Sequence, residues 1–141
     1  MKRLNRILLA GICALTVSAG ALARGAVPLA NHENVEVVTG SGRPLDVEAV
    51  KKAITTAATA QEWKVAPGAD GKSLEASLTW NKKKHGITVI ITPTATHYSV
   101  RYADSYNMKH AIENGQMVIH PMYNQNVNEL MQSIRAALLA L

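Results

Sequence analysis

Leu74-Glu75-Ala76-Ser77-Leu78-Thr79-Trp80-Asn81 is the stretch on which the fold turns. Leu74, Ala76, Leu78 and Trp80 take every second position, and Glu75, Ser77, Thr79 and Asn81 fill the gaps. Side chains of a strand alternate between faces, so this pattern predicts one apolar face and one wet face, as in an antiparallel sheet covered on one side. Lys82-Lys83-Lys84-His85-Gly86 then reads as a charged hairpin tip. Beyond it Ile87, Val89 and Ile91 continue the inward face until Pro93 ends the strand. Tyr98, Val100 and Tyr102 alternate with Ser99, Arg101 and Ala103 on the strand that follows.

Helices flank these strands. Upstream, Val47, Val50, Ile54, Ala57, Ala58 and Gln61 recur at helical spacing, with Asp46 placed as N-cap, predicting a helix over 46–62. Pro67-Gly68 and Asp70-Gly71 mark the turn between that helix and the sheet. Downstream, Val127, Leu130, Met131, Ile134 and Leu138 predict a second helix over 125–140, capped by Asn124 or Asn126. The link over 104–123 is polar, with Asn114-Gly115 as a turn and Met117-Val118-Ile119 as a short strand. Residues 24–44 read as an extended lead-in in which Val35, Val37 and Val38 add an edge strand. A sheet with one apolar face needs a cover, and amphipathic helices need something to cover. The expected architecture is an α+β two-layer sandwich of order α-β-β-β-β-α. An antiparallel meander of about four strands carries both helices on one face, in a single domain over 45–141.

The chain begins with a segment of another kind. Lys2, Arg3 and Arg6 precede an uncharged, mostly apolar run from Ile7 to Leu22 that ends in Ala21-Leu22-Ala23. A membrane span needs about 20 apolar residues, so this shorter run reads as a secretory signal peptide over 1–23, cut after Ala23. A lipoprotein reading would need Cys13, which follows the bulky Ile12 and sits inside the apolar run. Of the 15 basic and 10 acidic residues, only Lys2, Arg3 and Arg6 leave with the leader, so the remainder is nearly balanced at +2. That balance gives no case for nucleic-acid binding. Cys13 is the only cysteine, so the cleaved chain has neither thiol chemistry nor thiolate metal ligands. The expected location is the periplasm, with no transmembrane span after cleavage.

Chemistry-bearing residues concentrate in 97–124. Tyr98, Arg101, Tyr102, Asp104, Tyr106, His120, Tyr123 and Asn124 are candidates for a ligand or peptide site, since tyrosines give stacking area plus a hydroxyl and arginine pairs with anions. The competing reading makes Tyr98 and Tyr102 edges of the core, and Asp104, His120, Tyr123 and Asn124 a hydrogen-bonded network that pins the link before the second helix. Met108, His110, His120 and Met122 offer thioether and imidazole ligands of the kind that suits copper, although Met is also a routine core filler. A hydrolase built on Ser105, Asp104 and His120 lacks a nucleophile elbow and an oxyanion signal. Gly40-Ser41-Gly42 lacks the Lys-Ser/Thr of a phosphate loop. Lys82, Lys83 and Lys84 are suited to touch an anionic surface or to keep the hairpin from pairing with another chain.

The words Tyr98-Ser99-Val100-Arg101-Tyr102, Asp104-Ser105-Tyr106-Asn107-Met108, Ile119-His120, Tyr123-Asn124 and Val127-Asn128-Glu129-Leu130 have a further implication. With Glu62-Trp63-Lys64-Val65 they resemble a group of small exported proteins and lipoproteins of Gram-negative bacteria that have no assigned biochemical role. The resemblance covers most of 35–141. It implies export and this fold, and it brings no catalytic residues with it. The sequence therefore predicts a non-enzymatic envelope protein that acts by binding or by assisting another envelope component and needs no cofactor, with a small-ligand or copper-binding module on the 97–124 cluster, and then a hydrolase, as the alternatives.

Overall fold

The computed structural model describes residues 25–141. The expected leader and Cys13 lie outside them. Among the described residues the strands are β1 (Val27–Pro28), β2 (His32–Glu36), β3 (Lys64–Pro67), β4 (Leu74–Trp80), β5 (His85–Pro93), β6 (His97–Tyr106), β7 (Ala111–Glu113) and β8 (Gln116–Ile119). The helices are α1 (Val47–Ala60), between β2 and β3, and α2 (Met122–Leu139), which follows β8. The α+β class is as expected, and the strand count and layout are not. Five strands form one antiparallel sheet in the order β2-β6-β5-β4-β3, and a separate small sheet has the order β1-β8-β7. The lead-in supplies β1 and β2, and the link before α2 supplies β7 and β8. Among the described residues no helix is long and apolar enough to cross a membrane.

The alternation over 74–80 does set the large sheet. Leu74, Ala76 and Leu78 of β4 lie opposite Ile91, Val89 and Ile87 of β5. Ile91 and Pro93 in turn face Val100 and Tyr98 of β6. Leu74, Ala76, Ile87, Val89, Ile91, Tyr98 and Val100 share one core cluster with the buried residues of both helices. Glu75, Thr79, Thr92 and Arg101 on the other face are exposed. The helices lie side by side over the same face, where Ser133 Oγ donates to Ala57 O at 3.4 Å.

Helix α1 begins where the Asp46 carboxylate accepts from Ala49 N at 2.7 Å. Val50, Ala53, Ile54, Ala57 and Ala58 form its buried stripe, and Gln61, read as part of that stripe, is instead the exposed C-cap. The helix ends in a Schellman turn: Trp63 N donates to Ala58 O, Glu62 N donates to Thr59 O, and Glu62 takes φ 63°. Helix α2 starts three residues earlier than expected. Neither Asn124 nor Asn126 caps it; His120 Nδ1 accepts from Met122 N at 3.2 Å, and Asn126 donates back to Met122 O inside the helix.

Two irregularities decide which side chains meet. In β6, Thr88 faces Asp104 while Val89 faces Tyr102, so Ala103 is an extra residue, a β-bulge. Past the bulge the phase reverses. Ser105, opposite the inward Ile87, joins the inner face, and Asp104 and Tyr106 turn outward. In β2 the register shifts between His32 and Val35, where Asn34 takes φ 51°, a conformation asparagine tolerates better than most residues. His32 and Val35 both keep to the inner face, and Glu33 faces out.

Candidate functional site

A groove of about 480 Å³ opens between the edge strand β2 and the flank of α2. Its apolar lining is Val35, Val38, Tyr98, Met131 and Leu138, and its polar lining is Glu36, Asn128, Gln132 and Arg135. The geometry follows from local structure. Asn128, Met131, Gln132 and Arg135 recur at spacings of three and four, so they form a second stripe on α2 beside the core stripe Val127, Leu130, Ile134 and Leu138. Val35 lies opposite Tyr98 in the sheet register and stands beside it on the inner face. Burial raises the pKa of the Tyr98 hydroxyl, and the nearby charge of Arg135 opposes that rise. Among the described residues the ion pairs are Lys51–Glu48 and Arg101–Glu33, so Arg135 carries a charge with no carboxylate within pairing distance.

Of the eight residues expected to form a ligand site, only Tyr98 reaches this groove. Arg101 is on the opposite face, where its Nε and Nη2 donate to Glu33 at 2.6 and 2.8 Å. That bidentate bond holds the Glu33 carboxyl below the usual range and the Arg101 guanidinium above it. Asp104 and Tyr106 are exposed beyond the bulge. The Asp104 carboxylate accepts from Ser105 N at 2.8 Å. Tyr106 lays its ring where a Cβ on Gly86 would have to sit, and its hydroxyl donates to Lys83 O at 3.2 Å.

Tyr102 and Tyr123 do come together, at the other end of the inner face. Tyr102 stacks on His110 with centroids 4.5 Å apart and meets Tyr123 edge-on at 5.6 Å. Its hydroxyl is 2.9 Å from Ser105 Oγ. Tyr123 is fully buried and its hydroxyl has no hydrogen-bond partner among the described residues. Burial first, and the neighbouring Tyr102 second, push its pKa far above the usual phenol value.

Asn124 is a clamp. Its Oδ1 accepts from Ala30 N at 3.1 Å and its Nδ2 donates to Pro28 O at 2.8 Å, tying the lead-in to α2. His120 ties the same junction: its N–H donates to Met108 O at 2.7 Å while its ring caps α2. Asn124 and His120 thus make contacts of the loop-pinning kind, whereas the Tyr123 hydroxyl makes none among the described residues and Asp104 bonds only its neighbour Ser105.

The residues considered for copper are also placed. Met108 is sealed in the core, His110 lies on Tyr102, His120 Nδ1 is engaged at the helix start, and Met122 is half-buried against the core. Among the described residues no group of three or more His, Cys, Asp or Glu is arranged to hold a metal ion. In the constellation considered for a hydrolase, Ser105 Oγ pairs with Tyr102 and His120 Nδ1 with Met122 N.

Sequence reasoning missed Val35, Glu36, Val38, Asn128, Met131, Gln132 and Arg135 as one surface. One signal was available: Arg135 is the only cation on α2, and it continues the spacing of Asn128, Met131 and Gln132. Comparison of the chain with protein-family models, with curated proteins and with solved structures finds no match.

Proposed function

We propose that the chain is an exported, periplasmic, non-enzymatic binding domain. Its groove between β2 and α2 takes a ligand or peptide segment with an apolar body and an anionic group. The observation that supports this reading is the unpaired Arg135 beside the Tyr98 hydroxyl above an apolar floor. Ligand sites are concave and mostly apolar, with a few polar groups that fix orientation, and this groove has that make-up. A guanidinium and a phenol hydroxyl both donate, which suits a carboxylate, sulfonate or phosphate. The resemblance to small exported envelope proteins agrees with a location outside the cytoplasm.

The test is fluorescence titration of the full chain with anilinonaphthalene sulfonate, an apolar body bearing a sulfonate. Saturable binding is expected, weakened about tenfold or more in Arg135→Gln because a charged hydrogen bond is lost. Met131→Lys, which puts a charge on the apolar floor, is expected to abolish it. Binding unaffected by both substitutions would overturn the reading.

A further inference from the structure

We infer that the pole of the molecule opposite the groove docks on an anionic lipid bilayer. The β4–β5 hairpin tip carries Lys82, Lys83 and Lys84, and β6 ends beside it. Hydrogen bonds knit the two together. Asn107 Nδ2 donates to Lys84 O at 3.0 Å, Tyr106 donates to Lys83 O, and His85 Nδ1 is 3.0 Å from Asn107 O. From Asn107 the chain passes Lys109 and enters the β7–β8 hairpin. There Ile112 and Met117 lie directly opposite each other and are 73% and 40% exposed. Five residues of chain span at most about 18 Å, so Ile112 lies within that distance of Asn107, which is bonded to the lysine tip.

Three observations favour a membrane over plain solvent. Lys82, Lys83, Lys84 and Lys109 have no carboxylate within pairing distance among the described residues, whose ion pairs lie elsewhere. Lys82 and Lys83 are held at φ 55° and 62°, where glycine or asparagine would be cheaper, so the turn keeps its charge at a conformational cost. Ile112 and Met117 pair on a short hairpin and not in a cleft, a shape suited to partial insertion. Lysines on the hairpin tip and an exposed apolar pair on the next hairpin match a surface of anionic headgroups over acyl chains. Asp104 and Glu113 are the nearby acids. The first is engaged with Ser105 N, and the second is half-buried opposite Gln116.

The test uses the full chain carrying Ile112→Trp, whose added emission is read against the parent protein. Vesicles of brominated phosphatidylglycerol and phosphatidylethanolamine are expected to quench that emission, and brominated phosphatidylcholine vesicles are not. The combined Lys82→Gln, Lys83→Gln and Lys84→Gln variant is expected to bind on the order of a hundredfold more weakly, since each lysine adds about a factor of five at an anionic surface. Its circular dichroism spectrum and melting point are expected to match the parent. No quenching by phosphatidylglycerol vesicles would overturn the inference. So would equal quenching by phosphatidylcholine, or quenching undiminished by the lysine substitutions. The quenching is read at residue 112, so binding through another part of the chain does not imitate it.

Discussion

Replacing Asn124 by alanine isolates the contact that ties the lead-in to the body. The side-chain amide makes two bonds to backbone 94 and 96 residues away, accepting from Ala30 N and donating to Pro28 O. Its orientation is fixed by its partners, because a backbone N–H only donates and a carbonyl only accepts. Each bond contributes about 1 kcal/mol net, so losing both costs about 2 kcal/mol. Alanine favours the helix by a few tenths of a kcal/mol over asparagine, so weakening of α2 does not explain a loss. Strand β1 has only two register partners on β8, plus the bond from Leu29 N to Met117 O at 2.9 Å. The cost therefore falls on local opening of the lead-in. Amide exchange at Leu29 is expected to accelerate about thirtyfold, which is what about 2 kcal/mol amounts to in an opening equilibrium. Asn124→Asp keeps the acceptor for Ala30 and loses the donor to Pro28, so it is expected to fall between. An unchanged exchange rate at Leu29 in Asn124→Ala would refute the clamp and return Asn124 to the list of ligand candidates.

Two other sites give sharp outcomes. Tyr123→Phe removes a buried hydroxyl that has no partner among the described residues, so stability is expected to rise by about 1 kcal/mol, seen as a higher melting temperature. A fall of that size would mean that the hydroxyl is held by a bound water or ligand. The Asp70 carboxylate accepts from Ser73 N, Ser73 Oγ and Lys72 N, and these bonds lower its pKa from 3.8 to about 2, with Ser73 N the largest cause. A depressed folded-state value stabilises above the unfolded value and loses that effect as pH falls from about 4 through about 2. Asp70→Ala is expected to melt lower than the parent at neutral pH and to converge with it near pH 2, as measured by thermal melts across that range. Parallel curves at all pH values would refute the assignment.

The periodic segments made the fold legible. Leu74 to Trp80 and Val127 to Leu138 repeat cleanly at two and at three to four residues, because each buries one face against a large partner. The lead-in and the link before α2 were less legible for a physical reason. β8 was readable from Met117-Val118-Ile119 after the Asn114-Gly115 turn, but β1 and β7 are two and three residues long, too short for a period to show, and β1 takes its bonds from β8 and Asn124, about 90 positions away. The candidate site was misread for a related reason. The link was read as starting at 104, whereas β6 runs on to Tyr106, and one bulged residue, Ala103, turns Asp104 and Tyr106 away from the face of Tyr98 and Tyr102. Nothing local marks Ala103, since a bulge is set by register with β5. So the cluster that is dense in sequence divides between two faces of the sheet, and the groove is built from residues far apart in sequence, Val35, Tyr98 and Arg135.

That division bears on how the groove is held. Its β2 wall is an edge strand interrupted by a bulge, with register partners on β6 only at His32, Val35 and Glu36. Two further contacts hold the strand on its solvent side: Asn31 Oδ1 accepts from Tyr102 N at 2.8 Å, and Glu33 grips Arg101. Beyond the strand, Val37 N donates to Thr96 O at 2.8 Å. Gly40 lies against Leu139 O at the end of α2, so closely that a Cβ would collide with it. The wall is thus fastened at both ends, by Asn31 and Glu33 at its start and by 37–40 at its finish, with Val35 between them facing Tyr98. Asn124, on the first turn of α2, anchors the chain just ahead of Asn31, and Arg135, nearer the end of the same helix, faces the wall across the groove. A single helix therefore holds the lead-in at one end and lines the groove at the other, which puts the aromatic junction and the groove on one rigid element although no side chain is shared between them.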